Sequence, residues 1–233
     1  FRSKEVEVAS WEDILATDQE MIDLQGRNCV GGVDYSMTND FTACVLLFRV
    51  NGKYYIIHHT FVCSRSRDLP GIKVPLKDWE EKGDLEYVDD VEIPAEKVVD
   101  WFVKMSEKYN ILKIAIDKYR YSYLNKAFKN WGFDANEKKN IYIARPSDEM
   151  RVSPIINSLF INHNLVYGDV PIMRWYTHNS KKVIDGINIK YGKIEPNYRK
   201  TDGFKAFVAA MAIEDEIPEE VDYGALNFDV YSY

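Results

Sequence analysis

The stretch Gly31–Phe48, GGVDYSMTNDFTACVLLF, decides how the whole sequence is interpreted. It begins and ends like a buried β-strand, yet the polar turn between these ends carries Asp34 and Asp40. An ionised carboxylate is costly beside an apolar sheet unless it caps a turn or faces a positive charge. The stretch therefore raises the question of whether the two aspartates close a turn or hold a cation.

The sequence around this stretch predicts three adjacent antiparallel strands. NCVGGVDYS, which starts at Asn28, is typical of a short buried strand. FTACVLLFRVNGKYYIIHHTFV (41–62) is typical of two longer strands joined at Asn51-Gly52, because this dipeptide between apolar runs is a strong hairpin signal. Asp34 is then expected at the exit of the first strand.

The remaining chain alternates between predicted helices and strands. ILKIAID (111–117) is a nearly continuous apolar run that ends at Asp117, which is typical of a parallel strand buried on both faces. Further strands are predicted in 140–146 and 165–169, helices in 10–24, 94–110, 121–132, 154–164, 171–183 and 201–216, and polar hairpins in 64–93 and 187–197. The fold class is therefore α/β, with a mixed-direction sheet flanked by crossover helices.

Length and composition indicate a globular protein. The 233 residues are 46% hydrophobic and 29% charged, and no apolar run approaches the roughly 20 residues that span a bilayer. Three scattered cysteines (Cys29, Cys44 and Cys63) lack zinc-ligand spacing and predict buried free thiols in a reducing compartment. The net charge of -7 argues against nucleic-acid binding by bulk electrostatics alone, but a cluster of acidic metal ligands has the same sign.

Three segments are expected along the chain. It begins with Phe1 rather than Met, so we expect part of a longer polypeptide, with residues 1–27 as a lead-in or linker from a missing amino-terminal region. Residues 28–216 form the predicted domain, and residues 217–233 an acidic tail that we expect to be loosely held.

Three carboxylates occupy comparable places in this predicted fold. Asp34 and Asp117 each end a strand, and Asp202 opens the last long helix. Ligands of open α/β sheets gather outside the carboxyl ends of neighbouring strands, so we expect the three to meet. Their mutual repulsion would cost several kcal/mol without cations, and Mg²⁺ or Mn²⁺ prefers such oxygen ligands. A site that holds two such ions is typical of enzymes that hydrolyse phosphodiester bonds.

Each aspartate also has a purely structural alternative. Asp202 could be a helix N-cap, Asp34 could form an Asx-turn, and Asp40 could cap a helix or turn. Asp117 is the hardest to explain structurally, because an acidic residue directly after ILKIAI is poorly placed for core packing.

The sequence resembles a known family at three places. GGVDYSMTNDFTACVLLF, IAIDKYR and KTDGFKAFVAAMAI are similar to the nuclease domain of the large terminase subunit of tailed bacteriophages, and the resemblance extends from about 28 to 216. It implies a ribonuclease H-like fold with additional β-hairpins. It also implies a metal-dependent endonuclease that cuts double-stranded concatemeric viral DNA during genome packaging in the host cytoplasm.

The resemblance also implies particular site residues and partners. The family's three acidic positions correspond to Asp34, Asp117 and Asp202, and its Asp-x-Ser-x-x-x-Asp run makes Asp40 a fourth candidate metal ligand for two Mg²⁺ or Mn²⁺ ions. Members usually carry an ATPase motor, and the small terminase subunit and the portal are the further partners implied. No G-x-x-x-x-G-K-[ST] phosphate loop occurs in this sequence.

Basic residues beside the three aspartates are the candidate DNA contacts. They are Lys118, Arg120, Arg199 and Lys200, each within reach of a phosphate bound at the predicted metal site. The other candidate cations, Arg145, Arg151, Lys181 and Lys182, are interpreted as solvated surface. The four histidines, His58, His59, His163 and His178, lack a metal-ligand partner at helical spacing and are interpreted as structural.

Two other function classes stay open at this point. A non-catalytic DNA- or portal-docking module would have the same fold with a vestigial acidic cluster. A relative of the actin and sugar-kinase type would bind nucleotide phosphates at GGVDYSMTND, but that architecture normally needs two copies of the fold and more glycine around the phosphates.

Overall fold

The computed structural model describes residues 3–225. Its strands are β1 Lys4–Glu7, β2 Asn28–Asp34, β3 Thr42–Val50, β4 Lys53–Cys63, β5 Leu85–Val88, β6 Asn110–Asp117, β7 Ile141–Ala144, β8 Leu165–Val166, β9 Ser180–Asp185 and β10 Asn188–Lys193. Its α-helices are α1 Trp11–Leu15, α2 Leu76–Lys82, α3 Ala95–Ser106, α4 Lys118–Asn130, α5 Pro146–Ile161, α6 Pro171–His178 and α7 Asp202–Met211.

A mixed seven-stranded sheet forms the centre of the fold. Its order is β5-β4-β3-β2-β6-β7, with β8 paired to the beginning of β4. The β2–β3 and β3–β4 pairs are antiparallel, whereas β6 runs parallel to both β2 and β7. The three predicted antiparallel strands and the parallel strand that ends at Asp117 are thus confirmed, and the carboxyl ends of β2 and β6 lie at the same sheet edge.

The β3–β4 hairpin forms where its dipeptide predicted it. Asn51 and Gly52 have φ angles of 51° and 74°, the left-handed pair that a tight two-residue hairpin turn requires. Val50 pairs with Lys53 directly across the turn.

Helices cover both faces of the central sheet. On one face, the core cluster that joins Val33 and Leu46 includes side chains from α3 and α4. On the other face, the cluster that joins Val30 and Val45 includes side chains from α5, α6 and α7. Adjacent strand residues belong to different clusters because successive side chains point to opposite faces. The result is a three-layer helix–sheet–helix arrangement, as the α/β prediction requires.

The paired glycines of β2 let helices approach the strand from both sides. A Cβ on Gly32 would lie 2.0 Å from the carbonyl oxygen of Ala206 in α7, and one on Gly31 would lie 2.8 Å from the Phe102 ring in α3. Helix α7 therefore packs backbone to backbone against β2, two residues before Asp34. This contact brings the start of α7 towards the end of the strand.

A second, smaller sheet has the order β1-β9-β10. The polar hairpin predicted over 187–197 lies earlier in the chain: β9 and β10 form it, and β9 falls partly in the segment predicted as helix. The other edge of β9 pairs with β1, so residues 4–7 of the predicted lead-in belong to a sheet. Ser10 accepts a hydrogen bond from the amide of Asp13 and caps helix α1, which ends at Leu15 and is shorter than the helix predicted over 10–24. The helix predicted over 171–183 ends at His178, and β9 follows from Ser180.

The polar hairpin predicted for residues 64–93 is wrong. The segment instead contains helix α2, followed by β5, which pairs parallel with the end of β4. The buried side chains of Leu76 and Trp79 are three residues apart, which fits one helical face rather than a strand. The prediction missed this short amphipathic helix because charged residues, Pro and Gly dominate the composition of the segment.

The acidic segment after Glu216 is attached to the domain over its described part. Ile217 is buried, and Arg27 forms salt bridges with Glu220 and Asp222 at 3.2 and 2.6 Å. This differs from the expected loosely held tail as far as residue 225, and residues 226–233 lie outside the described part. Among residues 3–225, no helix is both long and apolar enough to cross a membrane.

Candidate active site

The turn that follows β2 answers the question raised by its two aspartates. Thr42 Oγ1 accepts a hydrogen bond from the amide of Ser36 at 2.9 Å and donates one to its carbonyl at 2.8 Å. A threonine hydroxyl therefore closes the turn. Neither Asp34 nor Asp40 forms a capping bond with a turn amide in the described part of the chain, so their carboxylates act elsewhere.

Asp34 and Asp117 lie next to each other at the carboxyl ends of β2 and β6. The guanidinium of Arg120 joins them: Nε lies 2.9 Å from Asp34 Oδ1, and Nη1 lies 2.6 Å from Asp117 Oδ2. Asp117 is also the N-cap of α4, because its Oδ1 accepts the backbone amide of Arg120 at 3.0 Å. The predicted convergence of these two side chains is present in the structure.

Asp202 approaches the pair from helix α7. Thr201 precedes the helix as its cap residue without a side-chain capping bond, so Asp202 is in the first turn and is not the N-cap. The residue is only 3% exposed, and its Oδ2 is buried without a hydrogen-bond partner. A buried carboxylate oxygen without a partner is costly, which points to a missing positive ligand.

The electrostatics of the site show the same shortage of positive charge. Burial raises the pKa of Asp202 well above its usual range, and the carboxylates of Asp34 and Asp40 raise it further. Burial also raises the pKa of Asp34, although the charges of Arg120 and Lys205 act in the opposite direction. These carboxylates are therefore poorly compensated when they are ionised.

Asp40 belongs to a neighbouring cluster in which charge is balanced. Its Oδ1 accepts hydrogen bonds from Lys193 at 2.7 Å and Lys200 at 2.9 Å, and Lys200 also pairs with Asp68 at 2.5 Å. Burial acts to raise the pKa of Asp40, but the two lysines outweigh it and lower the pKa. The loop thus presents Asp40 to lysines in this structure.

The four predicted DNA contacts are placed differently from one another. Lys118 is exposed, and Arg120 is held by Asp34 and Asp117. Arg199 is partly buried and donates from Nε to Asn179. Lys200 is fully buried and ion-paired, so its predicted contact with DNA does not agree with the structure. A lysine tied to two carboxylates inside the domain holds the loop before α7 instead of reaching a phosphate.

A cavity of about 420 Å³ opens beside the sheet edge. Asp34, Asp117 and Arg120 line it, whereas Asp202 and Asp40 do not. The other charged residues that line it are Arg145, Asp148, Glu149, Lys190 and Lys205.

Lys205 and Glu149 are site residues that the sequence interpretation missed. Lys205 Nζ donates to Glu149 Oε1 at 2.6 Å and to the carbonyl of Tyr191 at 2.7 Å. The available signal was helical spacing, because Lys205 lies three residues after Asp202 in the same helix and therefore on the same face. No comparable local signal identified Glu149, which reaches the site through the tertiary packing of α5.

The chemistry of the donor set suits Mg²⁺ or Mn²⁺. Asp34, Asp117 and Asp202 supply hard oxygen ligands, and the unpartnered Oδ2 of Asp202 shows that the set is incomplete by itself. Within residues 3–225, however, no three acidic, histidine or cysteine side chains already surround one point as an ion requires. The Arg120 guanidinium lies between two of the candidate ligands instead.

The histidines and cysteines take no part in this site. His58 contacts Thr60 Oγ1 at 2.6 Å, and burial lowers its pKa from 6.5 to about 3, so it is neutral in the folded protein. Cys29, Cys44 and Cys63 are buried and free, as predicted. Burial raises the pKa of Cys29 and Cys44, which leaves these two thiols protonated and unreactive.

Comparisons with solved structures agree with this architecture. The HK97 bacteriophage large terminase superposes with a TM-score of 0.78 at 19% identity; the match covers 91% of this chain and 44% of that one. The large terminase nuclease from the thermophilic phage G20c gives a TM-score of 0.55 at 10% identity, covering 88% and 96%. Its form with bound magnesium gives 0.52, with the same identity and coverage. At these identities the likeness establishes the fold, which is ribonuclease H-like.

Sequence comparison gives the family. No curated protein matches the chain. The chain spans 44% of the length of the HK97 large terminase that it resembles. The family model described as terminase large subunit, endonuclease domain, matches residues 4–216, which is most of the 233 residues. The chain therefore belongs to the family of terminase large subunit endonuclease domains.

Proposed function

We propose that this domain is a divalent-metal-dependent endonuclease that cuts double-stranded concatemeric viral DNA during genome packaging. The observation that carries the proposal is the buried Asp202 carboxylate, which lacks a partner for Oδ2 and is repelled by the carboxylates of Asp34 and Asp40. A domain without a bound cation gains nothing from this arrangement, because uncompensated buried charge destabilises the fold. Family membership supplies the reaction class, a nuclease.

Asp34, Asp117 and Asp202 are the proposed ligands of two ions, with Asp40 as a further candidate. The chemistry that Mg²⁺ or Mn²⁺ supplies when bound is activation of the attacking water and stabilisation of the leaving oxygen. Secondary structure fixes the three carboxylates in advance: a strand end holds Asp34, a helix cap holds Asp117 and a helix start holds Asp202. Such preorganisation supports catalysis because the ligands need not be ordered during the reaction.

The cavity beside these carboxylates is the proposed place of the DNA backbone. Arg145 and Lys190 line it with exposed side chains and form no ion pair among the described residues. Lys118 is exposed one residue after Asp117. Cations in these positions neutralise phosphates and set the register of a duplex without reading its sequence.

The partners are proposals that rest on the family. A terminase nuclease domain would act in the host cytoplasm with an ATPase motor, the small terminase subunit and the portal. This chain matches 44% of the length of the HK97 large terminase, so these partners are proposed from the family and not from contacts within the domain.

Plasmid cleavage tests the proposal. With Mn²⁺ or Mg²⁺ the chain should nick or linearise supercoiled DNA, and EDTA should abolish the reaction. Asp34→Ala should remove cleavage, whereas Asp78→Ala, at an exposed position in α2, should retain it. Cleavage by Asp34→Ala at the rate of the unaltered chain would contradict the metal-site assignment.

A non-catalytic DNA- or portal-docking module is the second candidate. The observation in its favour is that Arg120 already forms ion pairs with Asp34 and Asp117. In addition, no three potential metal ligands among the described residues are grouped around one point. Such a module would shift DNA in a gel without any metal requirement and would not cut it. Metal-dependent cutting removed by Asp34→Ala excludes this alternative.

A further inference from the structure

Arg120 lies where the proposed function requires a divalent cation. Its guanidinium contacts Asp34 and Asp117 together, at 2.9 and 2.6 Å. Its Nε also donates to the carbonyl of Tyr35 at 2.6 Å, the residue directly after β2. One side chain from the first turn of α4 thus connects the ends of β2 and β6.

The guanidinium of Arg120 fits between Asp34 and Asp117 but does not satisfy the third carboxylate, Asp202. Its planar fork can serve two carboxylates at once, which a lysine ammonium cannot do with the same geometry. Among the described residues, Arg120 pairs with Asp34 and Asp117 but not with Asp202, whose Oδ2 stays without a partner. Arg120 therefore stabilises the metal-free arrangement without fully compensating it.

We propose that Arg120 is the internal counter-ion of the metal-free site, and that a divalent ion must displace its guanidinium from Asp34 and Asp117 in order to bind. This inference rests on the proposed metal-dependent function. The side chain is 39% exposed, so it has solvent to move into at the mouth of the cavity. The released guanidinium is then close to where a phosphate would lie, so metal binding and DNA binding favour the same position of Arg120.

Lys205 provides a matched control for this idea. Like Arg120, it carries a positive charge that acts to lower the pKa of Asp34. Its Nζ, however, donates to Glu149 and to the carbonyl of Tyr191, and not to a candidate metal ligand. Removing Lys205 changes the charge near the site but leaves the Arg120 bridge in place.

The test is calorimetric titration of the 233-residue chain with Mn²⁺ alone, without DNA. We expect Arg120→Gln to bind Mn²⁺ about tenfold more tightly than the unaltered chain, which corresponds to one lost charge-assisted hydrogen bond. Arg120→Lys should also bind more tightly, although it keeps the positive charge, because a single ammonium nitrogen cannot reproduce the separate Nε and Nη1 contacts with Asp34, the Tyr35 carbonyl and Asp117. Lys205→Gln should change the affinity less than either Arg120 variant.

Thermal unfolding is a second measurement that does not depend on DNA cleavage. In EDTA, Arg120→Gln should melt at a lower temperature than the unaltered chain, and excess Mn²⁺ should abolish this difference. Arg120→Lys keeps a cation in the site and serves if the glutamine variant does not fold.

The outcomes separate this inference from the proposed function. If the unaltered chain binds Mn²⁺ and both Arg120 variants bind it with the same affinity or more weakly, the displacement inference is wrong and the nuclease proposal stands. Tighter binding by Arg120→Gln but not by Arg120→Lys would show a general charge effect and would also overturn displacement. Failure of every variant and of the unaltered chain to bind Mn²⁺ or Mg²⁺ would contradict both proposals.

Discussion

Two acidic clusters lie side by side near the start of α7, and they differ in whether the protein itself neutralises them. The open cluster consists of Asp34, Asp117 and Asp202; Arg120 forms ion pairs with the first two, and Asp202 Oδ2 has no partner. Burial and mutual repulsion raise the pKa of Asp202 in this cluster.

The closed cluster consists of Asp40, Asp68, Lys193 and Lys200, so two carboxylates meet two ammonium groups. The lysines lower the pKa of Asp40, and the cluster forms a complete network within the domain. The two clusters show that a group of neighbouring aspartates does not by itself indicate a metal site. The informative property is the uncompensated charge that remains after the protein's own cations are counted.

The largest expected effect comes from neutralising the open cluster. Asp202→Asn should reduce cleavage at least about 100-fold, because the loss of a direct ligand exceeds the loss of an outer-shell partner. In EDTA the same change should raise the free energy of unfolding by at least about 1 kcal/mol, since it removes a buried charge whose pKa is raised. Plasmid cleavage and urea unfolding measure the two effects.

Asp68→Asn in the closed cluster is the matched opposite. It removes a carboxylate that Lys200 needs, so the free energy of unfolding should fall. A gain of stability in both variants, or a loss in both, would show that the two clusters do not differ in charge balance.

The next effect separates the parts of the open cluster without changing any charge. Gly32→Ala puts a Cβ where the Ala206 carbonyl lies, so α7 must move away from β2 and carry Asp202 with it. We expect a loss of about 3 kcal/mol in the free energy of unfolding, at the upper end for overpacking, and reduced cleavage in the folded fraction. Gly192→Ala, whose Cβ would meet nothing nearer than 3.7 Å, is the strand control and should unfold like the unaltered chain.

A smaller effect tests the closed cluster through its buried lysine. Lys200→Met keeps the volume but removes the charged hydrogen bonds to Asp40 and Asp68, both partly exposed, and we expect a loss of about 2 kcal/mol in urea unfolding. Lys193→Met removes a lysine that is 27% exposed and should cost less than about 1 kcal/mol. Equal losses from the two variants would mean that burial of Lys200 is unimportant.

The smallest effect at neutral pH concerns His58, whose contribution to the pH dependence of stability begins only below pH 6.5. His58 has its pKa lowered from 6.5 to about 3 by burial, so the unfolded chain takes up a proton below pH 6.5 that the folded chain does not. Stability is therefore lost as pH falls from 6.5 towards 3. His58→Gln should reduce the slope of unfolding free energy against pH by up to about 1.4 kcal/mol per pH unit between pH 6 and 4. An unchanged slope would show that His58 is protonated in the folded protein.

Much of the fold was predictable from local sequence. Asn51-Gly52 specifies its hairpin because both residues tolerate the left-handed backbone that the turn requires. The continuous apolar run before Asp117 indicates a doubly covered parallel strand because only such a strand lacks a polar face. Residues 64–93 were not predictable in the same way, because one turn of apolar spacing is too short to distinguish a helix from a hairpin.

The candidate site was predictable only in its acidic members. Strand ends and a helix start identify Asp34, Asp117 and Asp202 from the order of the elements alone. The roles of the basic residues depend on partners far away in sequence: Lys200 pairs with Asp68, 132 residues away, and with Asp40, 160 residues away. A lysine beside a candidate ligand gives no local sign of whether it faces solvent or a buried carboxylate.

The positions of the three carboxylates at element ends follow from local sequence, because neighbouring residues specify each strand or helix. The charges that these carboxylates contact depend on how the elements pack against one another. Gly32 sets how closely α7 approaches β2, α4 directs Arg120 across the sheet edge, and the loop before α7 buries Lys200. Charge compensation depends on distances between atoms from separate elements, and these distances exist only once the chain has packed.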